Sequence, residues 1–324
     1  MRKTLIISTI ILAYIALTFS TSPNTMACSE IHIQNNNANV SARNFDFMSG
    51  KGLISISPRG QLHKSAFSSN AHPSKQWTSK YASVSFWVSL PSNNSNPILA
   101  GVDGINEAGL KIGTYFLEAS QYPAPTGSES IAITSYMQYL LDNYANVAEA
   151  LADIQSSSYT LLPVSANDLK IKLHFYIHDQ DGHSAIIDFL DGQPIIFTAP
   201  KTTILTNTPY SEALKALTTY SEFGGKEDIP GGPESLERFV RGAFYKKHLP
   251  APATNKQAIN SGFALVQLLS VPPKFEHGCT QWTIVTDIKN KRIFYRTLND
   301  PTIQKIDLTT LDFSKAESKE FNQP

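Results

Sequence analysis

The stretch Met26-Ala27-Cys28-Ser29-Glu30-Ile31 carries one of only two cysteines among 324 residues and follows directly on an apolar leader. Residues 1–20 read MRKTLIISTIILAYIALTFS: two basic residues, Arg2 and Lys3, then an apolar run from Leu5 to Phe19 broken only by small hydroxyl residues and Tyr14. A basic start followed by such a run is the pattern of an export signal. The run is almost long enough to span a bilayer, which keeps an uncleaved anchor as the alternative, but the polar stretch Thr21 to Thr25 ahead of a small residue favours cleavage. The junction is expected at Thr25-Met26-Ala27, so that residues 1–27 form a signal peptide and Cys28 opens one mature domain, 28–324. No later segment is apolar for long enough to cross a membrane as a helix. The mature chain is therefore expected to be soluble, periplasmic or secreted, with no stable membrane anchor.

A cysteine that becomes the first residue of a chain gains a free α-amino group, whose ordinary pKa of about 7.7 to 8 lets it act as a base at neutral pH. That amine can take the proton of its own thiol, and the thiolate is a strong nucleophile for an acyl carbon. The amine can then return the proton to a leaving nitrogen. Two other uses of Cys28 stay open at this level. One is the lipid-bearing cysteine of a membrane-tethered binding protein, although that pattern expects a leucine where Thr25 stands and an apolar run ending close to the cysteine. The other is a disulfide with Cys279, the sole arithmetic pairing, in a chain long enough to need no staple.

Beyond Cys28, SEIHIQNNNANVSARNFDF (residues 29–47) alternates apolar and polar positions on either side of an Asn-rich turn, which predicts a hairpin beginning at the cysteine. ISISPRG, YASVSFWVSL and GLKIGTYFL repeat the strand signal between Gly, Pro and Asn punctuation. Ile131 to Leu151 carries apolar residues at helical spacing and predicts two helices meeting near Asn143 to Asn146. Strands return from Lys172 to Pro209 with Asp-Gly turns at Asp181-Gly182 and Asp191-Gly192. Helices are expected over Tyr210 to Thr219, Leu236 to Lys247 and Asn260 to Leu269, with GGKEDIPGGP (residues 224–233) as a loop inside the domain. CTQWTIVTDIKNKRIFYRTL is expected to close the chain as a β-hairpin. Strands, helices, strands, helices and strands imply a layered α+β domain with helices packed on antiparallel sheets.

Five motifs follow one another along nearly all of the mature chain: Cys28 with ARNFDF (42–47), DGINEAGL (103–110), LTNTP (205–209), ERFVRGAF (237–244) and CTQWTIVTDIKNKRIFYRTLND (279–300). In this order they resemble the choloylglycine hydrolase family, which includes penicillin V acylases and bile salt hydrolases. The resemblance implies the four-layer αββα sandwich of the N-terminal nucleophile hydrolases, two antiparallel sheets between helical layers, and an amidase acting on linear amides. Cys28 matches its nucleophile, and Arg43 and Asp46 match its R-x-x-D pair. A guanidinium near a thiol favours thiolate, and a carboxylate can hold a new ammonium group. Asn207 matches the asparagine whose amide forms half of the oxyanion hole, and Arg238 matches an arginine beside the nucleophile. Read without the family, Arg43 and Asp46 are a surface ion pair, Asn207 a turn residue before Pro209, and Arg238 a helix-face residue paired with Glu234.

The second oxyanion position falls on Phe116, with Tyr115 just before it, where penicillin V acylases have tyrosine and bile salt hydrolases asparagine. A backbone N–H at Phe116 can serve there whatever its side chain, and the missing asparagine counts against the bile salt branch. The interval from Asn207 to Arg238 is also shorter than in the best-known members, which carry an assembly insertion there. This form is similar to the Gram-negative branch, whose members resemble penicillin V acylases and often cleave long-chain N-acyl homoserine lactones. The expected partner is a small N-acyl amide substrate, with no cofactor and no metal, conjugated bile salts as the alternative substrate, and a homo-oligomer left open.

Lys plus Arg and Asp plus Glu both total 27, so no net field draws nucleic acid or an anionic membrane. His174, His178 and His183 do not complete a metal set and are expected at a strand surface and in a turn. No serine stands in a nucleophile elbow. Trp87 and Trp282 fall in strand patterns and are expected in the core.

Overall fold

The computed structural model describes residues 27–93, 96–126, 129–156, 158–273 and 278–321. The expected signal peptide, apart from the backbone of Ala27, lies outside the described residues. The predicted hairpin is present as β1 (Ala27–Asn35) and β2 (Ala38–Phe47), paired antiparallel with Cys28 opposite Phe45 and Glu30 opposite Arg43. β3 (Gly52–Ser57) leads to a small hairpin of β4 (Leu62–Lys64) and β5 (Gln76–Thr78), then to β6 (Ser83–Leu90), β7 (Ile98–Asn106) and β8 (Lys111–Phe116). Short β9 (Ser130–Ala132) runs into α1 (Ile133–Asn143) and α2 (Val147–Ser156), the two helices the periodicity predicts. Short β10 (Thr160–Leu162), β11 (Val164–Ala166) and β12 (Leu169–Ile171) precede β13 (Leu173–His178), β14 (Ser184–Leu190) and β15 (Gln193–Thr198). Asp191 and Gly192 both have positive φ (52° and 73°), as a two-residue turn between β14 and β15 requires. β16 (Ile204–Leu205), α3 (Tyr210–Leu217), α4 (Ser235–Lys247) and α5 (Asn255–Gln267) follow, then β17 (Cys279–Asp287) and β18 (Arg292–Thr297).

Two antiparallel sheets dominate. The first has the order β16-β1-β2-β17-β18 and ends on β19 (Gln304–Asp307). The second has the order β15-β14-β13-β8-β7-β6-β3 and ends on β20 (Glu317–Phe321). α1 packs against β6, β7 and β8 on the outside of the second sheet, and α4 and α5 pack against β1, β2 and β17 on the outside of the first. The layers are therefore α, β, β, α, the sandwich that the motifs imply. β2 is buried along its whole length because it has a strand on each side and a layer over each face. Its side chains alternate: Val40 and Ala42 meet α5 at Gly262, while Arg43 reaches the Val102 carbonyl in the second sheet.

Four expectations need correction. The chain does not close on the β17–β18 hairpin, since β19 extends the first sheet and β20 crosses to the second. Both are edge strands with largely exposed residues, so neither carries the alternation that marks a half-buried strand. α5 starts at Asn255, one turn before the apolar spacing shows it, because Thr254 caps it by accepting from the Gln257 N–H. His174 and His178 are fully buried, not on a strand surface, because β13 is an inner strand covered on both faces. Trp282 is core as expected, whereas Trp87 is only partly buried. Cys28 and Cys279 are both free thiols, so the disulfide does not form.

The two sheets approach closely at Gly52 of β3. A Cβ there would collide with the Trp87 carbonyl and sit 2.7 Å from the Trp282 ring. Backbone and a packed indole cannot both yield, so Gly52→Ala should destabilise the fold by about 2 kcal/mol or more, read as a lower urea midpoint with unchanged slope.

Candidate active site

The register of β1 on β2 assembles the first part of the site. Cys28, Glu30 and Arg43 project from one face of the first sheet toward the second, and Asp46, opposite Ala27, projects from the other face toward the helices. In the described chain Cys28 is still joined to Ala27. Its peptide nitrogen therefore occupies the place a terminal amine would take after cleavage. That nitrogen donates to Asn207 Oδ1 at 2.7 Å, and Asn207 Nδ2 donates to the Phe116 carbonyl at 2.7 Å. An N–H needs an acceptor and a carbonyl needs a donor, so these two contacts together fix which way the amide faces. Asn207 is itself held from behind, its N–H donating to Ser235 Oγ at 2.9 Å.

Arg238 ties these groups to α4. A capping box of Glu234 and Glu237 starts the helix and sets Arg238 in its first turn, fully buried. Its Nη2 donates to Asn207 Oδ1 at 2.9 Å, its Nη1 donates to the Cys28 carbonyl at 2.8 Å and to Ser29 Oγ, and its Nε donates to the Pro233 carbonyl at 2.9 Å. Asp46 Oδ2 lies 3.8 Å from Nη1. The expected helix-face pairing with Glu234 is thus replaced by contacts to the Cys28 carbonyl, Ser29 and Asn207. Asp46 Oδ1 accepts from Thr280 Oγ1 at 2.5 Å. Thr280 carries no local signal of its own, although it lies in the quoted C-T-Q-W stretch and pairs with Asp46 across β17 and β2.

Arg43 is buried on the opposite side, its guanidinium 4.5 Å above the Tyr115 ring and its Nη1 3.5 Å from Asp103 Oδ2. Neither Arg43 nor Asp46 is on the surface, so the surface ion pair is excluded for both. Tyr115 and Phe116 separate cleanly. The Tyr115 hydroxyl donates to Glu30, away from Asn207. Phe116 presents its backbone instead: Leu117 N–H bonds the Lys172 carbonyl on the strand side of β13, so strand alternation turns the N–H and C=O of Phe116 to the other edge, where Asn207 lies.

Charge balance follows from burial. Burial pushes the Cys28 thiol up, against the pull of Arg43 and Arg238 and a hydrogen bond from the Asp46 backbone, which lower it. Burial also raises Asp46 to about 6, outweighing Arg238, the Thr280 hydrogen bond and Arg43. Among the described residues, one group of potential metal ligands is present, Asp179, Asp181 and His183, in the turn after β13 and apart from Cys28. The site's chemistry thus rests on a thiol, two arginines, a carboxylate and an amide. It can support nucleophilic attack on an acyl carbon with stabilisation of an oxyanion.

The family described as linear amide C–N hydrolases, choloylglycine hydrolase family, matches residues 28–321. A penicillin V acylase of Pectobacterium atrosepticum is 29% identical over 265 residues, covering 74% of this chain and 70% of that protein. A bile salt hydrolase/transferase of Clostridium perfringens is 22% identical over 289 residues, covering 78% and 85%. The structure of penicillin V acylase from Agrobacterium tumefaciens superposes with a TM-score of 0.74 at 29% identity, covering 91% of each chain. A mutant of the Clostridium perfringens conjugated bile acid hydrolase shares the fold at TM-score 0.73, 19% identity, and 92% and 97% coverage. A match over residues 28–321, on a superposable sandwich, makes this chain a member of the choloylglycine hydrolase family of linear amide C–N hydrolases.

Proposed function

We propose that export removes residues 1–27 and that the mature, periplasmic chain hydrolyses the linear amide of N-acyl substrates through a thioester on Cys28. Penicillin V is the first substrate class and N-acyl homoserine lactones the second member of the same reading. The observation that carries it is the bridge formed by Asn207, whose amide joins the Cys28 nitrogen to the Phe116 carbonyl with 2.7 Å at each end. The family match beginning at Cys28 supports the junction, and the two penicillin V acylases at 29% identity support the substrate class.

In this mechanism the freed α-amine takes the Sγ proton and the thiolate attacks the amide carbon. Charge develops on the former carbonyl oxygen, where the second N–H of Asn207 Nδ2 and the Phe116 N–H can donate to it. The ammonium, held by Asn207 Oδ1 and facing Asp46, returns its proton to the leaving nitrogen as the C–N bond breaks. The acyl group stays on sulfur. Water then attacks the thioester, losing a proton to the amine, and the carboxylate leaves with the thiol restored. Arg43 and Arg238, one on each side of Cys28, favour the thiolate. Conjugated bile salts are the second reading, supported by the Clostridium perfringens relative and opposed by Phe116 at the position where that branch has asparagine.

Intact mass of the exported protein should correspond to a chain starting at Cys28 with an unmodified amine. A different start, or a lipid adduct, would refute the mechanism. A panel of penicillin V, acyl homoserine lactones and glycine or taurine conjugates should show turnover on the first two; action confined to the bile conjugates would reverse the order. Cys28→Ser should lose nearly all turnover while unfolding at the same urea concentration, and Asn207→Ala should lower kcat by about 10²- to 10³-fold.

Asp46 adds a pH signature. Its folded value of about 6 lies above its ordinary 3.8, so folding favours the neutral carboxyl. The associated stability is complete below pH 3.8 and is lost as pH rises through 6. Between pH 5 and 8 the unprocessed chain should lose on the order of 1 kcal/mol from this group, and Asp46→Asn should abolish that part of the slope in urea titrations. A terminal ammonium beside Asp46 pulls its value down, so the mature chain should show a smaller loss than the unprocessed one.

A further inference from the structure

Between the sheets, directly behind the site, lies a group of charges of which the proposed reaction uses only Arg43. Lys111 of β8 is fully buried where an inner strand ordinarily carries an apolar residue. Its Nζ lies 2.5 Å from Glu30 Oε2 and 3.1 Å from Asp103 Oδ2. The same Asp103 oxygen lies 3.5 Å from Arg43 Nη1. Asp103 is therefore shared between two cations, and the shorter contact is to Lys111. Arg43 is left half engaged: Nη1 reaches Val102 and Asp103, while Nε and Nη2 have no hydrogen-bond partner among the described residues.

We propose that Lys111 is a positioning residue for the reaction: by holding Asp103, it prevents that carboxylate from pairing fully with Arg43 and leaves the guanidinium's charge directed at the Cys28 sulfur. This rests on the reading of Cys28 as the nucleophile. Arg43 heads the charges that favour the Cys28 thiolate, so any group that neutralises Arg43 weakens the nucleophile. Asp103 is the only carboxylate in ion-pair contact with it among the described residues. Glu30 anchors Lys111 from the first sheet and is itself held by the Tyr115 hydroxyl and by His178 Nε2 at 2.5 Å. Burial would raise Glu30, but Lys111 and His178 outweigh it and keep the carboxylate charged.

Every charged or titratable group facing this cluster fits the arrangement. β1 contributes Cys28, Glu30 and His32, whose ring centre is 4.2 Å from that of His178. β2 contributes Arg43, β7 Asp103, β8 Lys111 and Tyr115, and β13 His178, with Tyr176 4.1 Å from the His178 ring and His174 6.0 Å from the Tyr115 ring. Asp46 and Arg238 lie on the opposite face of the first sheet, nearer the thiol than to Lys111 by strand position. Two cations face two carboxyl groups between the sheets, and burial pushes Asp103 up against the pull of Lys111 and Arg43. Removing one member redistributes the rest.

The test reads the Cys28 thiol directly, in mature protein with Cys279→Ser so that one thiol remains, from the pH dependence of iodoacetamide alkylation. Lys111→Met should raise the thiol pKa by about one unit and move the acid limb of kcat/KM upward by the same amount. Asp103→Asn should lower it, because Arg43 is then unopposed. In the Asp103→Asn background, Lys111→Met should have little further effect, since the route through Asp103 is gone. An unchanged thiol pKa in folded Lys111→Met overturns the proposal, as does an equal shift with and without Asp103. Should Lys111→Met fail to fold, Asp103→Asn alone decides, and an unchanged or raised value overturns it. Alkylation needs no turnover, so a chain inactive on every amide, or a Cys28→Ser variant that keeps its activity, would sink the proposed function while this result stood by itself.

Discussion

The Asn207 side chain bridges the two sheets at Cys28 itself. It leaves the end of β16 in the first sheet, accepts from the Cys28 nitrogen at its oxygen and donates to Phe116 of the second sheet at its nitrogen. An amide has one acceptor end and one donor end, so the two contacts cannot be exchanged without losing both. Two neighbours hold that amide where it is. Ser235 bonds its backbone, and Arg238 bonds its oxygen from the first turn of α4. A side chain this short can bridge two sheets only where they are already close, so the bridge depends on how the sheets pack.

That packing contains a charged layer as well as an apolar one. Most of the space between the sheets is filled by one continuous cluster of apolar side chains. Within it, Glu30, Arg43, Asp103 and Lys111 form a closed set of buried charges with Tyr115 and His178 as hydrogen-bond donors. Such a set is costly relative to well-packed apolar residues of similar volume. Its position immediately behind the proposed nucleophile gives that cost a purpose, because an arginine can influence a thiol only if its charge is not cancelled nearby.

Much of this organisation is legible in the sequence, and the exceptions share a cause. The β1–β2 hairpin, the paired helices α1 and α2 and the Asp191-Gly192 turn follow from local alternation, spacing and turn chemistry, and those signals survive folding. His174 and His178 are misjudged because a polar residue on a strand signals a wet face only when the strand has one. β13 has none, and each histidine bonds a carboxylate on another strand, Asp188 and Glu30. β19 and β20 fail for the opposite reason, being edge strands whose exposed side chains need no pattern. Lys111 and Glu30 leave no local trace, since each is explained only by a charge on another strand. Thr280 is likewise found only through the β2–β17 register.

The spacing of Arg43 and Asp46 shows how a strand can build a site on both of its faces. An even separation would place the two side chains on one side of the sheet, and they would neutralise each other. A separation of three puts them on opposite sides. Arg43 then enters the space between the sheets, above Tyr115 and beside Asp103, while Asp46 turns toward the helical layer and meets Arg238 and Thr280. Cys28, on the neighbouring strand, lies between two buried guanidiniums that approach from different layers. The same geometry keeps Asp46 next to Ala27 in the ladder, beside the nitrogen that cleavage would free and on the face away from Arg43. One strand thus holds the charge that favours thiolate apart from the charge suited to receive an ammonium.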